Sequence, residues 1–203
     1  TKVVTTLLAA NAVEVNQADK NGATPLVVAC VNGHAEIATK LIAANANVNQ
    51  AKNEGVTPLY LACQNGHTEV VATLLAADAN VDQAEDAGVT PLIIALDRGH
   101  IEVATKLLAA NAAMDHADSR GVTPLWIASQ EGHTEVVKTL IAANIAVNQA
   151  TANGATPLLV ACEKGHNEVA TTLIVANAKV DQADHNGETA LYVACSQGHT
   201  EVV

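Results

Sequence analysis

Apolar positions along the chain fall in short clusters, separated by polar links that carry glycine, asparagine or aspartate. Within residues 19–51, Leu26, Val28, Ala29 and Cys30 make one cluster, and Ile37, Leu41 and Ile42 follow at helical spacing. Each cluster predicts a short helix with one face turned to a core. The start and stop signals agree. Thr24 is placed to cap the first helix, with Pro25 at the first helical position, where its missing N–H costs nothing. Gly33 closes that helix in the left-handed conformation. His34-Ala35-Glu36 opens the second, with Glu36 in the first turn against the positive end of the helix dipole. Asn45 takes the left-handed position after the last turn. Asp19-Lys20-Asn21-Gly22 reads as a turn, and Asn47 to Gly55 as an extended, projecting loop.

The unit recurs without a break. Thr-Pro-Leu begins at Thr24, Thr57, Thr90, Thr123 and Thr156, always 33 residues apart, and Thr189 starts a further copy with Ala190 in place of proline. Gly-His follows at the same interval, from Gly33-His34 through Gly66-His67, Gly99-His100, Gly132-His133 and Gly165-His166 to Gly198-His199. A fixed period of this length means stacked supersecondary units. Helices of about eight and ten residues are too short to be stable alone in water, so stability has to come from stacking. The expected division is one array over 1–203 with full repeats at 19–51, 52–84, 85–117, 118–150 and 151–183. Residues 1–18 carry a partial N-terminal repeat, a second helix and its loop, and 184–203 a partial C-terminal one.

Composition narrows the picture. Hydrophobic residues are 49% of the chain and aromatics 1%, so the core has to be Ala, Val, Leu and Ile closely packed. The formal charge of −11, with no run of Lys or Arg, repels a polyanion and argues against nucleic-acid binding. No apolar stretch approaches the roughly 18 residues that cross a bilayer. Cys30, Cys63, Cys162 and Cys195 share one repeat position, filled by Leu96 and Ser129 in the middle copies. Stacked helices about 8–10 Å apart keep such cysteines beyond disulfide reach, so buried thiols are expected. Unpaired cysteines and the lack of an Asn-x-Ser/Thr sequon lean towards a reducing, cytoplasmic compartment.

The second copy runs Gly55-Val56-Thr57-Pro58-Leu59-Tyr60-Leu61-Ala62-Cys63-Gln64-Asn65-Gly66-His67-Thr68-Glu69-Val70-Val71. Essentially the entire chain resembles the ankyrin repeat family on such residues. The resemblance implies an all-α ankyrin repeat solenoid of helix-turn-helix units with projecting β-turn or hairpin loops. It also implies a protein or peptide partner on the concave face, made from loop tips and first-helix ends. The matching positions are the pair before the loop glycine and the pair before Gly-His. They include Asn53, Glu54, Gln64 and Asn65, then Asp86, Asp97 and Arg98. Ser119, Arg120, Gln130 and Glu131 follow, then Asn153, Glu163 and Lys164. Asn16, Asn49 and Asn148 match the loop asparagine that hydroxylases modify in some family members, with loop bonding as the plainer role. The chain departs from the family pattern in three ways, one being Asn or Asp where a glycine usually follows the second helix. The histidine after Thr-Pro-Leu is replaced by Val27, Tyr60, Ile93, Trp126, Leu159 and Tyr192, so apolar packing is expected there. The turn aspartate is Lys52 in one copy and Thr151 in another, which predicts looser tips.

Catalysis needs groups that converge on one pocket, whereas periodic placement spreads the histidines along the stack. Six of the eight belong to Gly-His, with a bonding role near the start of the second helix; His116 and His185 lie in loops, where solvation is expected. The glycines are all used by two positions per repeat, which leaves none for a phosphate loop. The expectation is therefore a non-catalytic interaction scaffold without metal or cofactor. The alternatives are a structural spacer, a self-stacking array, or a regulatory module of a larger enzyme or channel. Thr1 to Leu8 and Thr200 to Val203 parallel parts of second helices, and neither end shows a polar capping repeat, which predicts a fragment of a longer array or head-to-tail pairing.

Overall fold

The computed structural model of the chain describes residues 2–10 and 13–199. The segment Thr200 to Val203, read above as part of a second helix, therefore lies outside the described residues. Among the described residues there are twelve α-helices and no strand, and the chain falls into two compact units, Thr1–Ala112 and Ala113–Val203.

The first unit holds α1 (Lys2–Leu8) and three helix pairs: α2 (Pro25–Val31) with α3 (Ala35–Ala43), α4 (Pro58–Gln64) with α5 (Thr68–Ala76), and α6 (Pro91–Asp97) with α7 (Ile101–Ala109). Within it, first helices pack on first helices and second on second. The second unit holds α8 (Pro124–Gln130) with α9 (Thr134–Ala142), α10 (Pro157–Lys164) with α11 (Asn167–Val175), and α12 (Ala190–Gln197), packed by the same rule.

Each first helix starts where its threonine predicts. The hydroxyls of Thr24, Thr57 and Thr90 accept from the backbone N–H three residues on, as do those of Thr123, Thr156 and Thr189. Five of these threonines are fully buried, so each removes a backbone donor that water could not reach. Asn45, Asp78, Asn111, Asn144 and Asn177 all hold positive φ after the second helix, where a short polar side chain is tolerated.

The core is a ladder of buried leucines. Leu26, Leu59 and Leu92 are sealed in the first unit, and Leu125, Leu140, Leu158 and Leu173 in the second. Ala29, Ala62 and Ala95 lie between them in the first unit, and Ala128 and Ala161 in the second, leaving no bulk to hold the helices apart. Cys30, Cys63 and Cys162 are buried and unpaired as expected, and burial pushes the Cys30 thiol up to about 12. Cys195 is exposed, which corrects the expectation of four buried thiols: it sits on the face of α12 that no described element covers.

Candidate functional site

Two rows of hydrogen bonds link neighbouring repeats within each unit, one backbone to backbone and one from histidine rings to backbone carbonyls, and the predicted contact positions sit on them. At the loop tips, Asn53 N–H donates to Asn21 O at 3.1 Å and Asp86 N–H to Glu54 O at 3.0 Å. In the second unit, Ala152 N–H donates to Arg120 O at 2.7 Å and His185 N–H to Asn153 O at 3.0 Å. These single bonds tie turn to turn without making a strand, which is the form the projecting loops take.

The second row uses the Gly-His histidines. His34, His67, His100, His133 and His166 are each the N-cap of a second helix, yet none of their side chains caps it. In four of the six Gly-His histidines the ring reaches back one repeat instead. His67 Nε2 lies 3.0 Å from Val31 O and His100 Nε2 lies 3.2 Å from Gln64 O. In the second unit His166 meets Gln130 O at 2.9 Å and His199 meets Glu163 O at 3.0 Å. A carbonyl only accepts, so Nε2 carries the proton in each pair. The ring lies flat over the previous repeat's glycine: a Cβ on Gly66 would come within 2.6 Å of His100 Nδ1. The expected bond near the start of the same helix is thus replaced by a clasp between repeats. It fixes the carbonyl of the very residue whose side chain was predicted to meet a partner.

In the first unit Asn53, Glu54, Asn65, Asp86, Asp97 and Arg98 are exposed and Gln64 is half-buried. Asn65 is spent locally, its Nδ2 donating to Leu61 O at 2.8 Å. Asp97 and Arg98 pair loosely at 3.6 Å. Tyr60 is buried at the foot of this group; burial raises its phenol pKa, and Glu85 and Asp97 add to the effect while Arg98 opposes it. Tyr60 and Glu85 therefore belong electrostatically with Asp97 and Arg98. Sequence reading missed Glu85, and its signal was its place as the turn acid.

The turn of the second copy changes conformation. Asp19 Oδ1 accepts from Asn21 and Ala23 N–H at 2.8 and 2.9 Å, holding its turn with one carboxylate oxygen. Lys52 cannot accept, and Glu54 there adopts φ 68° inside a short 3-10 turn, Asn53–Gly55. Thr151 keeps the ordinary turn, its hydroxyl donating to Ala155 O at 3.2 Å and Asn153 Oδ1 accepting from Ala155 N–H. Altered shape at Lys52 and a substitute acceptor at Thr151 stand where looser tips were expected.

In the second unit Ser119, Arg120, Glu131, Asn153 and Lys164 are exposed, with Gln130 and Glu163 half-buried. Arg120 grips the buried Asp118 carboxylate through Nε at 2.9 Å and Nη2 at 2.7 Å. Asp118 Oδ1 meanwhile accepts from Arg120 and Val122 N–H. This pairing holds Arg120 in one pose, although its side chain is 68% exposed. Asn153 and Glu163 share a cleft of about 280 Å³ with Asp184, Glu188 and Tyr192. Trp126 is half-buried, and its indole N–H donates to Ala155 O at 3.1 Å. It straddles core and surface.

At the other positions after Thr-Pro-Leu, Val27, Tyr60, Ile93 and Leu159 are buried as expected, whereas Tyr192 is 57% exposed. His185 is exposed, and His116 is half-buried rather than solvated. The loop asparagines act in the plainer role: Asn16 and Asn49 accept from Asn47 and Asn80 N–H, and Asn148 from Lys179 N–H. Among the described residues no group of three His, Cys, Asp or Glu side chains is placed to hold a metal ion. No helix among them is long and apolar enough to cross a membrane.

A family model for ankyrin repeats, in three copies, matches residues 1–85, 77–151 and 143–203. The chain belongs to the ankyrin repeat family. Ankyrin repeats are generally protein–protein interaction modules, and the family is typically a non-catalytic one. No curated protein matches this chain. Within the ankyrin pattern, the clasp and the tip bonds are its scaffold, and the residues before the two glycines are what the scaffold displays.

Proposed function

We propose that this ankyrin chain is a non-catalytic scaffold that binds a protein or peptide partner through its loop tips and first-helix ends. The carrying observation is the division of labour between fixed backbone and displayed side chains. Val31, Gln64, Gln130 and Glu163 have their carbonyls clasped by the next repeat's histidine. With these carbonyls fixed, little backbone entropy remains to be lost on binding at the positions that present their side chains. The proposed contact positions are the fourteen named above, seven in each unit. A partner footprint of about 800 Å² would need only part of it.

The charged members are the most discriminating. Arg120 is a strong anchor because its guanidinium is already positioned, and arginine is favoured at interface hot spots. The test compares partners recovered by wild type and by an Asp97→Ala/Arg98→Ala/Arg120→Ala/Glu131→Ala variant, with circular dichroism as the folding control. Loss of a wild-type partner from a folded variant supports the assignment. Unchanged recovery sinks it.

A second reading, pairing between copies, is favoured by exposed apolar surface. A groove of about 640 Å³ in the first unit is lined by Val4, Leu7, Leu8, Val28 and Ile37. On the last first-helix of the second unit, Leu191 is 58% and Tyr192 57% exposed. The complement is a short helix like α4, which packs on α2 within the first unit. Light scattering that returns a monomer at every concentration removes this reading.

A further inference from the structure

The chain carries Asn-Gly at Asn21-Gly22, Asn32-Gly33, Asn65-Gly66, Asn153-Gly154 and Asn186-Gly187. Asn-Gly is reactive because glycine has no side chain to hinder attack by its backbone nitrogen on the asparagine Cγ. A new N–C bond closes a five-membered succinimide, and the side-chain nitrogen leaves as ammonia, taking up the proton from the glycine N–H. Water then opens the ring to aspartate, or to isoaspartate with an added methylene in the main chain. No oxidant or reductant is involved. Two things oppose the reaction: a hydrogen bond that holds the glycine N–H, and one that holds the carboxamide away from it.

The first restraint is common to all five sites. The N–H groups of Gly22, Gly33, Gly66, Gly154 and Gly187 each donate to the carbonyl three residues back. The second restraint separates them. Asn32 Nδ2 donates to Val28 O, and Asn65 Nδ2 to Leu61 O, both at 2.8 Å, which pins these carboxamides along their helices. Asn153 Oδ1 is bonded to the Thr151 hydroxyl and accepts from Ala155 N–H. Asn186 Nδ2 has a longer bond to Asp184 Oδ2, at 3.3 Å. Asn21 is exposed, and among the described residues only its main chain is engaged, N–H to Asp19 Oδ1 and C=O to Asn53 N–H.

We propose that Asn21 is a spontaneous modification site of the native protein, converting to aspartate and isoaspartate ahead of the other four Asn-Gly steps. The consequence falls on the binding face. Isoaspartate lengthens the main chain at the residue whose carbonyl receives the Asn53 N–H, so the first inter-tip bond of the first unit is lost. Either product also adds a negative charge beside Asp19. Ageing of one side chain thus loosens one tip and makes it more acidic.

The test ages the whole chain at mildly alkaline pH and 37 °C, then quantifies deamidation at each Asn-Gly by peptide mass spectrometry, with isoaspartate methyltransferase labelling. A parallel sample is aged in urea. The expected result is a native rate at Asn21 several-fold above those at Asn32 and Asn65, with the difference collapsing in urea. An Asn21→Gln variant loses the early product and folds normally by circular dichroism. Any of the other four Asn-Gly steps reacting as fast as Asn21 in the native sample overturns the assignment.

Discussion

Replacing Gly66 with alanine attacks the clasp between repeats at its tightest point. The glycine holds φ +70°, and an added Cβ would lie 2.6 Å from His100 Nδ1 and 2.7 Å from Cε1. A Cβ in the left-handed region costs about 1–2 kcal/mol by itself. The contact then forces the ring aside, which breaks its 3.2 Å bond to Gln64 O. A typical hydrogen bond contributes about 0.5–1.5 kcal/mol net, so Gly66→Ala is expected to cost about 2–3 kcal/mol in all. Gly187 is the control: at φ +81° a Cβ added there would meet nothing within 4 Å, so Gly187→Ala should cost only the backbone strain, about 1–2 kcal/mol. The assay is urea unfolding by circular dichroism, run as a cycle with His100→Ala. The single change at His100 removes the same bond, so the double variant should be less destabilised than the sum by about 1 kcal/mol. Additivity within about 0.3–0.5 kcal/mol would refute the clasp.

Three further outcomes follow from the same geometry. Lys52→Asp restores the turn acceptor that Asp19 and Asp118 provide, and should stabilise the protein by about 1–2 kcal/mol, since bonds to a charged acceptor are among the stronger ones; a lower urea midpoint would contradict it. Thr57→Ala leaves the buried Tyr60 N–H without its acceptor and should cost about 1–2 kcal/mol in the same assay; a change near zero would mean the cap is not needed. Burial raises the Cys30 thiol from an ordinary 9.0 to about 12, so the unfolded chain loses this proton first and stability falls as pH rises above about 9, being intact below it. Cys30 should account for about 2 kcal/mol of loss by about pH 10.5, so Cys30→Ser should lose less than wild type by that amount while the buried Cys63 and Cys162 act in both; equal pH slopes for the two proteins would exclude the Cys30 thiol as a cause.

Local chemistry was legible in the chain wherever its partner lies within a few residues. Thr24 and Pro25 announce a helix start because the capping bond spans three residues. Asn45 announces a helix end because its own side chain decides whether positive φ is tolerated. The histidine destinations were not legible. The bond from His67 reaches Val31, 36 residues back, and depends on how closely two repeats stack. Glu54 was similarly hidden, since its left-handed backbone follows from what Lys52 cannot accept. For the candidate surface, the positions were readable as those the period leaves to vary. Their commitments were not: Arg120 is tied to Asp118, Asn65 to its own helix, and Tyr60 lies beneath Asp97 and Arg98.

On the proposed reading, a partner meets the loop tips and first-helix ends rather than the second helices. Site-specific photo-crosslinking tests it most directly. A benzophenone side chain would replace Glu131 or Lys164 on the proposed face, and Glu69 or Glu135 in the first turn of a second helix. After irradiation in extract from the source cells, partner adducts should form from Glu131 and Lys164 and be missing from Glu69 and Glu135. Adducts from the second-helix positions, with none from Glu131 or Lys164, would contradict the account.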